Sequence, residues 1–224
     1  MENIKEILNS ELFDLSHTIA GEIFENTQYP FEVLPKIGDF IKKIGKTLDT
    51  SEYDCPSENV WIHKTAKIYP NTYIEGGVII GAKTEVRPGA FIRGNALVGE
   101  GVVVGNSTEL KNCILFDGVQ VPHYNYVGDS IFGYKAHTGA GSIMSNVKAD
   151  KSLVTVRGEG YKIETGIKKF GAMLGDFAEI GCNSVLNPGT IVCRNSVVQP
   201  LSSVRGVVKA NAIFKRTGQI VTKI

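Results

Sequence analysis

Aliphatic side chains recur every six residues without a miss at Ile62, Ile68, Ile74, Ile80, Val86, Ile92, Val98, Val104 and Leu110, and again at Leu174, Ile180, Leu186, Val192, Val198 and Val204. Six is neither the period of a helix nor the alternation of an ordinary strand. It is the period of a parallel β-helix, in which each short strand buries one aliphatic side chain and no coil is stable alone. The fifth place of each hexad is small or β-branched, as at Ala66, Thr72, Thr84, Ala90, Ala96 and Thr108. Glycine often follows the aliphatic position (Gly81, Gly99, Gly105, Gly175, Gly181), which suggests tight corners there.

The period slips by one residue at Leu115, Val121 and Val127 and again at Phe132, Thr138 and Met144. It then fails over 147–170, where SLVTVR and YKIETG flank Gly158-Glu159-Gly160 and predict an inserted β-hairpin. An insertion of this length in a compact repeat is more often functional than idle, although surface loops are thermodynamically cheap. Upstream, Ile4, Leu8, Leu12, Leu15, Ile19 and Ile23 mark one face of an amphipathic helix, and Leu34, Ile37, Ile41, Ile44 and Leu48 mark a second. The expected organisation is a helical arm over 1–50 that caps the open end of the β-helix, a linker over 51–59, a β-helix over 60–206 and a tail over 207–224.

The charges balance to +1 and 42% of residues are hydrophobic. Such a chain buries a sizeable core and carries no basic excess that calls for nucleic acid. It has no apolar run long enough for a membrane span, and its first residues are acidic and amphipathic rather than a signal peptide, so a cytoplasmic protein without membrane partners is expected. Cys55, Cys113, Cys182 and Cys193 form no CxxC pair and read as reduced thiols.

Stacked coils make geometry readable from arithmetic. Arg93 and Lys111 each follow the aliphatic residue of a hexad and stand 18 apart (111 − 93), so they lie one above the other on one face. Two stacked cations call for an anion, either a phosphate or nearby carboxylates such as Glu75 and Glu109. His123 points outward from its hexad and, counting the slip, has Ala140 one coil on, within Gly139-Ala140-Gly141. An imidazole above a glycine-rich backbone suits a general base beside open N–H groups, and equally suits a subunit interface. A zinc site is disfavoured, since His123 and His137 supply at best two ligands and no metal is expected.

VGNSTELKN (104–112), PHYNYVGDS (122–130) and GAGSIMSN (139–146) resemble the acetyltransferase domain of the bifunctional glucosamine-1-phosphate N-acetyltransferase/N-acetylglucosamine-1-phosphate uridyltransferase family. KKFGAMLGDFAEIGCNSVLNPGT, with the preceding hairpin, is similar to the archaeal-type sugar-1-phosphate nucleotidylyltransferases. This resemblance implies an all-β, left-handed parallel β-helix that assembles as a homotrimer and uses acetyl-CoA as co-substrate. It makes His123 the general base, and it matches Asn146 and the backbone of Ala140 to the catalytic set. Arg93 and Lys111 would hold the sugar phosphate. Tyr126, His137 and either Lys148 or Lys151 would line the acceptor pocket. Cys182 would line the acetyl-CoA pocket, and Lys215 or Arg216 would meet the coenzyme's phosphates. Pro122 and His137 depart from the family's glycine and asparagine, and no glycine-rich nucleotide loop is present, so no uridyltransferase activity is expected.

The implied function is transfer of acetyl from acetyl-CoA to glucosamine 1-phosphate or a related amino-sugar phosphate. The alternatives are a non-catalytic sugar-phosphate or nucleotide-sugar binding subunit of a separate nucleotidyltransferase, and an acyltransferase of the same fold with another acceptor.

Overall fold

The computed structural model describes residues 2–223. Its body is a left-handed parallel β-helix of about nine turns. Three flat faces run its length. The first begins at Val60–His63, Val78–Ile80 and Ala96–Val98, the second at Lys67–Ile68, Glu85–Val86 and Val103–Asn106, and the third at Tyr73–Glu75 and Phe91–Arg93. Each hexad aliphatic points inward. Ile80, Val86, Ile92, Val98, Val104 and Leu110 are fully buried, and the small fifth-place residues turn the inner corners. There the Thr84 hydroxyl donates to the Gly99 carbonyl at 2.7 Å and Thr108 to that of Val121 at 2.9 Å, so the corner polar groups are satisfied inside the coil.

The period slips have a structural cause. Glu109–Leu115 and Tyr126–Phe132 are seven-residue strands that run through the corner between the third and first faces. One corner residue is missing, so Leu110 pairs with Val127 and Leu115 with Phe132 at an interval of 17 (127 − 110 and 132 − 115). Asn112 and Asp129 take left-handed backbone at this bend, with φ of 50° and 48°.

The glycines after the aliphatic positions are not there for corner conformation, since none of Gly81, Gly99, Gly105, Gly175 or Gly181 has positive φ. They allow close approach between coils. A Cβ on Gly105 would stand 1.5 Å from the Pro122 carbonyl oxygen, and one on Gly181 would stand 2.4 Å from the Pro200 nitrogen.

The N-terminal arm is not an end cap. On the first face the outward side chains are apolar as well, and Ile79, Leu97, Ile114, Ile131, Met173 and Ile191 are all fully buried. The arm covers them lengthwise, from Glu6 beside Cys193 through Phe13 on Phe116 (5.1 Å between ring centres) to Gly45 against Trp61. Each such residue gains roughly 2 kcal/mol from burial. The expected first helix is broken into short turns, Glu2–Ile7, Asn9–Leu12, Leu15–His17 and Gly21–Phe24. Its backbone is used elsewhere: Asp176 N–H donates to the Leu12 carbonyl, Asp117 N–H to that of His17, and Asp14 N–H to the Asp176 carboxylate. Groups engaged across the interface do not complete a helical ladder. In the second series only Ile37–Gly45 is α-helical, after a 3₁₀ turn over Pro30–Lys36.

The ends are closed by strands instead. Tyr53–Ser57, in the expected linker, pairs antiparallel with Val60–His63. The expected tail continues the solenoid, with Ile191 paired to Val207 and Val198 to Phe214, until Ile220–Thr222 folds back antiparallel on Ala212–Phe214. Antiparallel closure blunts an edge that parallel coils would leave open. The insertion forms a hairpin of Thr155–Gly158 and Tyr161–Glu164 around the two-residue turn Glu159-Gly160, and Tyr161 Oη donates to Glu6 of the arm at 2.8 Å. Among the described residues, no helix is long and apolar enough to cross a membrane.

Candidate active site at the corner of the second and third faces

His123 ends the second-face strand Gln120–His123 and is exposed. It pairs in register with Asn106 of the previous coil, and its carbonyl accepts from Gly141 N–H at 3.1 Å in the next. That hydrogen bond sets Ala140 directly beyond His123. Gly139 N–H donates to the Ile180 carbonyl and Asn183 N–H to that of Ala140, which puts Cys182 next in the column. A Cβ on Gly139 would stand 2.6 Å from the Cys182 nitrogen, so this strip stays narrow. Beyond lies Pro200, and the Val198–Phe214 pair carries the register on to Arg216, whose N–H donates to Gln199 Oε1 at 3.2 Å. His123, Ala140, Cys182, Pro200 and Arg216 therefore form one column. Its span from Ala140 to Arg216 is three coil steps, about 14 Å at the spacing of paired strands.

Among the described residues the Ala140 N–H has no acceptor, whereas the flanking Gly139 and Gly141 N–H groups are bonded. An unengaged donor beside an exposed imidazole is suited to a developing oxyanion. Asn125 holds the corner between the two faces from inside, accepting His123 N–H at 3.3 Å and donating to the Gly139 carbonyl at 2.9 Å.

Across the corner, the third face carries Arg93, Lys111, Tyr126 and Asn146. Leu110 pairs with Ile92, so Lys111 and Arg93 are stacked as the spacing requires. Each is already matched by a carboxylate. Arg93 Nε donates to Glu109 Oε1 at 2.7 Å, and Lys111 Nζ lies 2.9 and 2.8 Å from the two oxygens of Asp129. Asp129 is 3% exposed and also accepts from Asn112 Nδ2 at 2.9 Å and Asn146 Nδ2 at 2.5 Å. The second amide hydrogen of Asn146 reaches Tyr126 Oη at 3.1 Å. Burial, reinforced by Glu109 and Asp129, raises the Tyr126 hydroxyl above its usual pKa and keeps it a neutral donor. The Asp129 hub is absent from the sequence reading because the slip moves it one place off the Arg93–Lys111 column; its signal is the aspartate in YVGDS, 18 residues after Lys111 (129 − 111).

The remaining candidates lie apart. His137 pairs in register with Gln120, at the far end of the second-face strand from His123, and its Nδ1 is 2.8 Å from Glu179 Oε2. His137 therefore lies apart from the His123 corner within one chain. Lys148 sits at the root of the hairpin beside Asp150 and Ser152, and Lys151 is exposed on a left-handed turn. Lys215 Nζ turns toward Gln219 at 3.4 Å, leaving Arg216 as the cation on the column. Cys55 and Cys182 are exposed thiols, whereas Cys113 and Cys193 are buried. Among the described residues no group of three or more His, Cys, Asp or Glu is placed to hold a metal ion.

The GMPPB C-terminal domain profile matches residues 74–174. The "Bifunctional protein GlmU" of Methanococcus maripaludis is 32% identical over 87% of this chain and 48% of its own length. The "Bifunctional sugar-1-phosphate nucleotidylyltransferase/acetyltransferase" of Sulfurisphaera tokodaii is 33% identical over 70% of this chain and 39% of its own. The chain thus spans about half, or less, of the length of these relatives. Among solved structures, the Francisella novicida UDP-N-acetylglucosamine acyltransferase overlaps 74% of this chain and 68% of its own, with 13% identity and a TM-score of 0.42.

Proposed function

We propose that this chain, which is similar to the GMPPB C-terminal domain over residues 74–174 and to the bifunctional GlmU proteins, transfers acetyl from acetyl-CoA to the amine of an amino-sugar phosphate, with glucosamine 1-phosphate as the first acceptor to test. The observation that carries this reading is the column of exposed His123, open Ala140 N–H, Cys182 and Arg216. The narrow strip from Ala140 to Arg216 fits an extended thioester, with its carbonyl at Ala140 and its phosphates at the terminal arginine.

In this reading the acceptor reaches the thioester as the free amine, its ammonium proton lost to solvent, and His123 removes a second proton as the nitrogen attacks the thioester carbonyl. The tetrahedral oxyanion is held by the Ala140 N–H. Collapse breaks the C–S bond, and the proton on His123 passes to the departing thiolate. Asn146 and Tyr126 supply oriented polar groups for the sugar hydroxyls at the same corner.

A single corner is convex, so the site is completed by a second copy. The third face supports that assembly: Tyr73, Phe91, Glu109, Tyr126, Ile143 and Val185 form an outward column through successive strand pairs, apolar or aromatic apart from Glu109, and Tyr73, Phe91, Ile143 and Val185 are exposed. Three copies packed through this face give the homotrimer we propose.

One observation favours a different acceptor. Arg93 and Lys111 already have carboxylate partners, which leaves less positive charge for a sugar phosphate. An amino sugar joined to a nucleotide, or one lacking phosphate, is the second reading. The test is thiol release from acetyl-CoA with glucosamine 1-phosphate, glucosamine and a nucleotide-linked amino sugar, in wild type and His123→Ala. We expect glucosamine 1-phosphate to be the best acceptor and His123→Ala to lose on the order of 10²-fold or more. No turnover with any acceptor, or an unchanged rate in the variant, removes the reading; preference for another acceptor selects the second.

A further inference from the structure

The hairpin is seated on the prism by two glycines of successive coils. Gly189 and Gly206 both have φ of +82°, and a Cβ on either would come within 2.9 Å of backbone or side chain of Val154–Arg157. This close seating brings Arg157 of the hairpin beside Arg205 of the third face. With Lys148 they line a hollow of about 80 Å³, completed by Thr155, Pro188 and Gly206. Lys148 is 3.5 Å from Asp150, and Arg205 donates to the Asn187 side-chain oxygen at 3.2 Å. Among the described residues no carboxylate lies within 4.0 Å of either arginine, and no carboxylate lines the hollow. Of the other described arginines, Arg87, Arg93 and Arg194 each have a carboxylate partner, and Arg216 lies on the His123 column.

Three converging cations around a space of two or three water volumes suit one tetrahedral dianion, and two planar guanidinium forks match phosphate oxygens. Beside it, sharing Arg157 and Arg205, lies a larger cavity of about 540 Å³ walled by Val207, Ile220 and Val221, with the carboxylates of Glu6 and Glu159 and the amine of Lys209 also in its lining. A cavity of that size holds a small organic molecule. Apolar walls with a carboxylate acceptor suit a hydroxylated body. Arg205 stands four coil steps beyond Lys111 in the same column, through Gly128, Ser145 and Asn187, or about 19 Å at the strand spacing.

We propose that the Lys148–Arg157–Arg205 hollow is a second ligand site, distinct from the His123 corner, which binds the phosphate of a phosphorylated polyol whose body fills the adjoining cavity. The chemistry is shared by sugar phosphates and by nucleoside monophosphates. The hairpin is then the element that builds the site, which gives the insertion a role that the repeat alone cannot supply.

The test is calorimetric titration of the full chain, without acetyl-CoA or turnover, so that its outcome is separate from that of the acyl-transfer reading. Probes are inorganic phosphate, glucose 1-phosphate, AMP, and the unphosphorylated glucose and adenosine. We expect glucose 1-phosphate or AMP to bind at least tenfold more tightly than inorganic phosphate, whichever binds tighter identifying the source, with no binding of the unphosphorylated pair. Arg157→Ala and Arg205→Ala should each weaken binding at least tenfold and Arg205→Lys less, whereas Lys168→Ala, which removes an exposed charge elsewhere, should leave it unchanged. Absence of binding by all the phosphorylated probes overturns the proposal. So does binding that survives in the Arg157→Ala/Arg205→Ala double variant with its melting temperature intact, and so does equal loss in Lys168→Ala, which would mark nonspecific charge attraction.

Discussion

Lys111 and Asp129 form a doubly contacted ion pair at the bend between the third and first faces, with Nζ 2.9 and 2.8 Å from the carboxylate oxygens. The pair joins neighbouring coils, and the same carboxylate takes amide hydrogens from Asn112 and Asn146. Asp129 therefore organises the third-face side of the candidate site while neutralising the lysine.

Asp129→Ala leaves that lysine and two amides without their acceptor. Removing one partner of a largely buried pair costs about 3 kcal/mol, and the urea midpoint should fall accordingly. Adding Lys111→Met should return part of the loss, because the uncompensated charge goes with it. An unchanged midpoint in Asp129→Ala would show that the pair is solvated.

The two glycine environments predict opposite sensitivities. Gly105→Ala drives a Cβ to 1.5 Å from the Pro122 carbonyl, so the strand bearing His123 has to shift; a cost of about 3 kcal/mol is expected. Gly94 has φ of +65° but nothing within 4 Å, so Gly94→Ala carries only the left-handed backbone penalty of about 1 kcal/mol. Chemical denaturation of both variants checks the ranking.

Burial pushes the thiols of Cys113 and Cys193 up to about 12, so at pH 8 they are protonated as well as inaccessible. Iodoacetamide with mass-spectrometric mapping should modify Cys55 and Cys182 and spare the other two. If the thioester lies along the His123 column, acetyl-CoA should slow alkylation of Cys182 and leave Cys55 unaffected. Equal protection of both would argue against that placement.

Burial raises the Asp176 carboxyl above its ordinary value of 3.8, against the lowering effect of N–H groups from Asp14 and Tyr134 and the charge of Arg194. The folded state thus binds this proton more readily than the unfolded chain. The Asp176 contribution to stability consequently increases as pH falls from neutrality toward the unfolded value, and declines as pH rises through that window. The urea midpoint measured from pH 7.5 to 4.5 should show a smaller pH dependence in Asp176→Asn than in wild type. An identical dependence would show that other groups carry it.

The sequence by itself determined the repeat, the 18-residue column arithmetic and the hairpin, because an inward aliphatic every six residues is a local requirement that each coil meets separately. That arithmetic put Arg93 over Lys111 and His123 before Ala140, and the register agrees. What it could not reach are the relations between segments distant in the chain. The arm's helical periodicity was legible, yet its breakage into turns follows from backbone bonds to Asp117 and Asp176, more than a hundred residues away in the second case. The outward apolar residues of the first face, Ile79, Leu97 and Ile114, were visible as letters, but only packing showed that they call for a cover along the flank rather than a cap at the end. In the same way the aspartate of YVGDS became the partner of Lys111 only because a lost corner residue turns its side chain toward the lysine. Short-range geometry is written in spacing; charge pairing and burial depend on which distant surfaces meet, and that was decided by the tertiary structure.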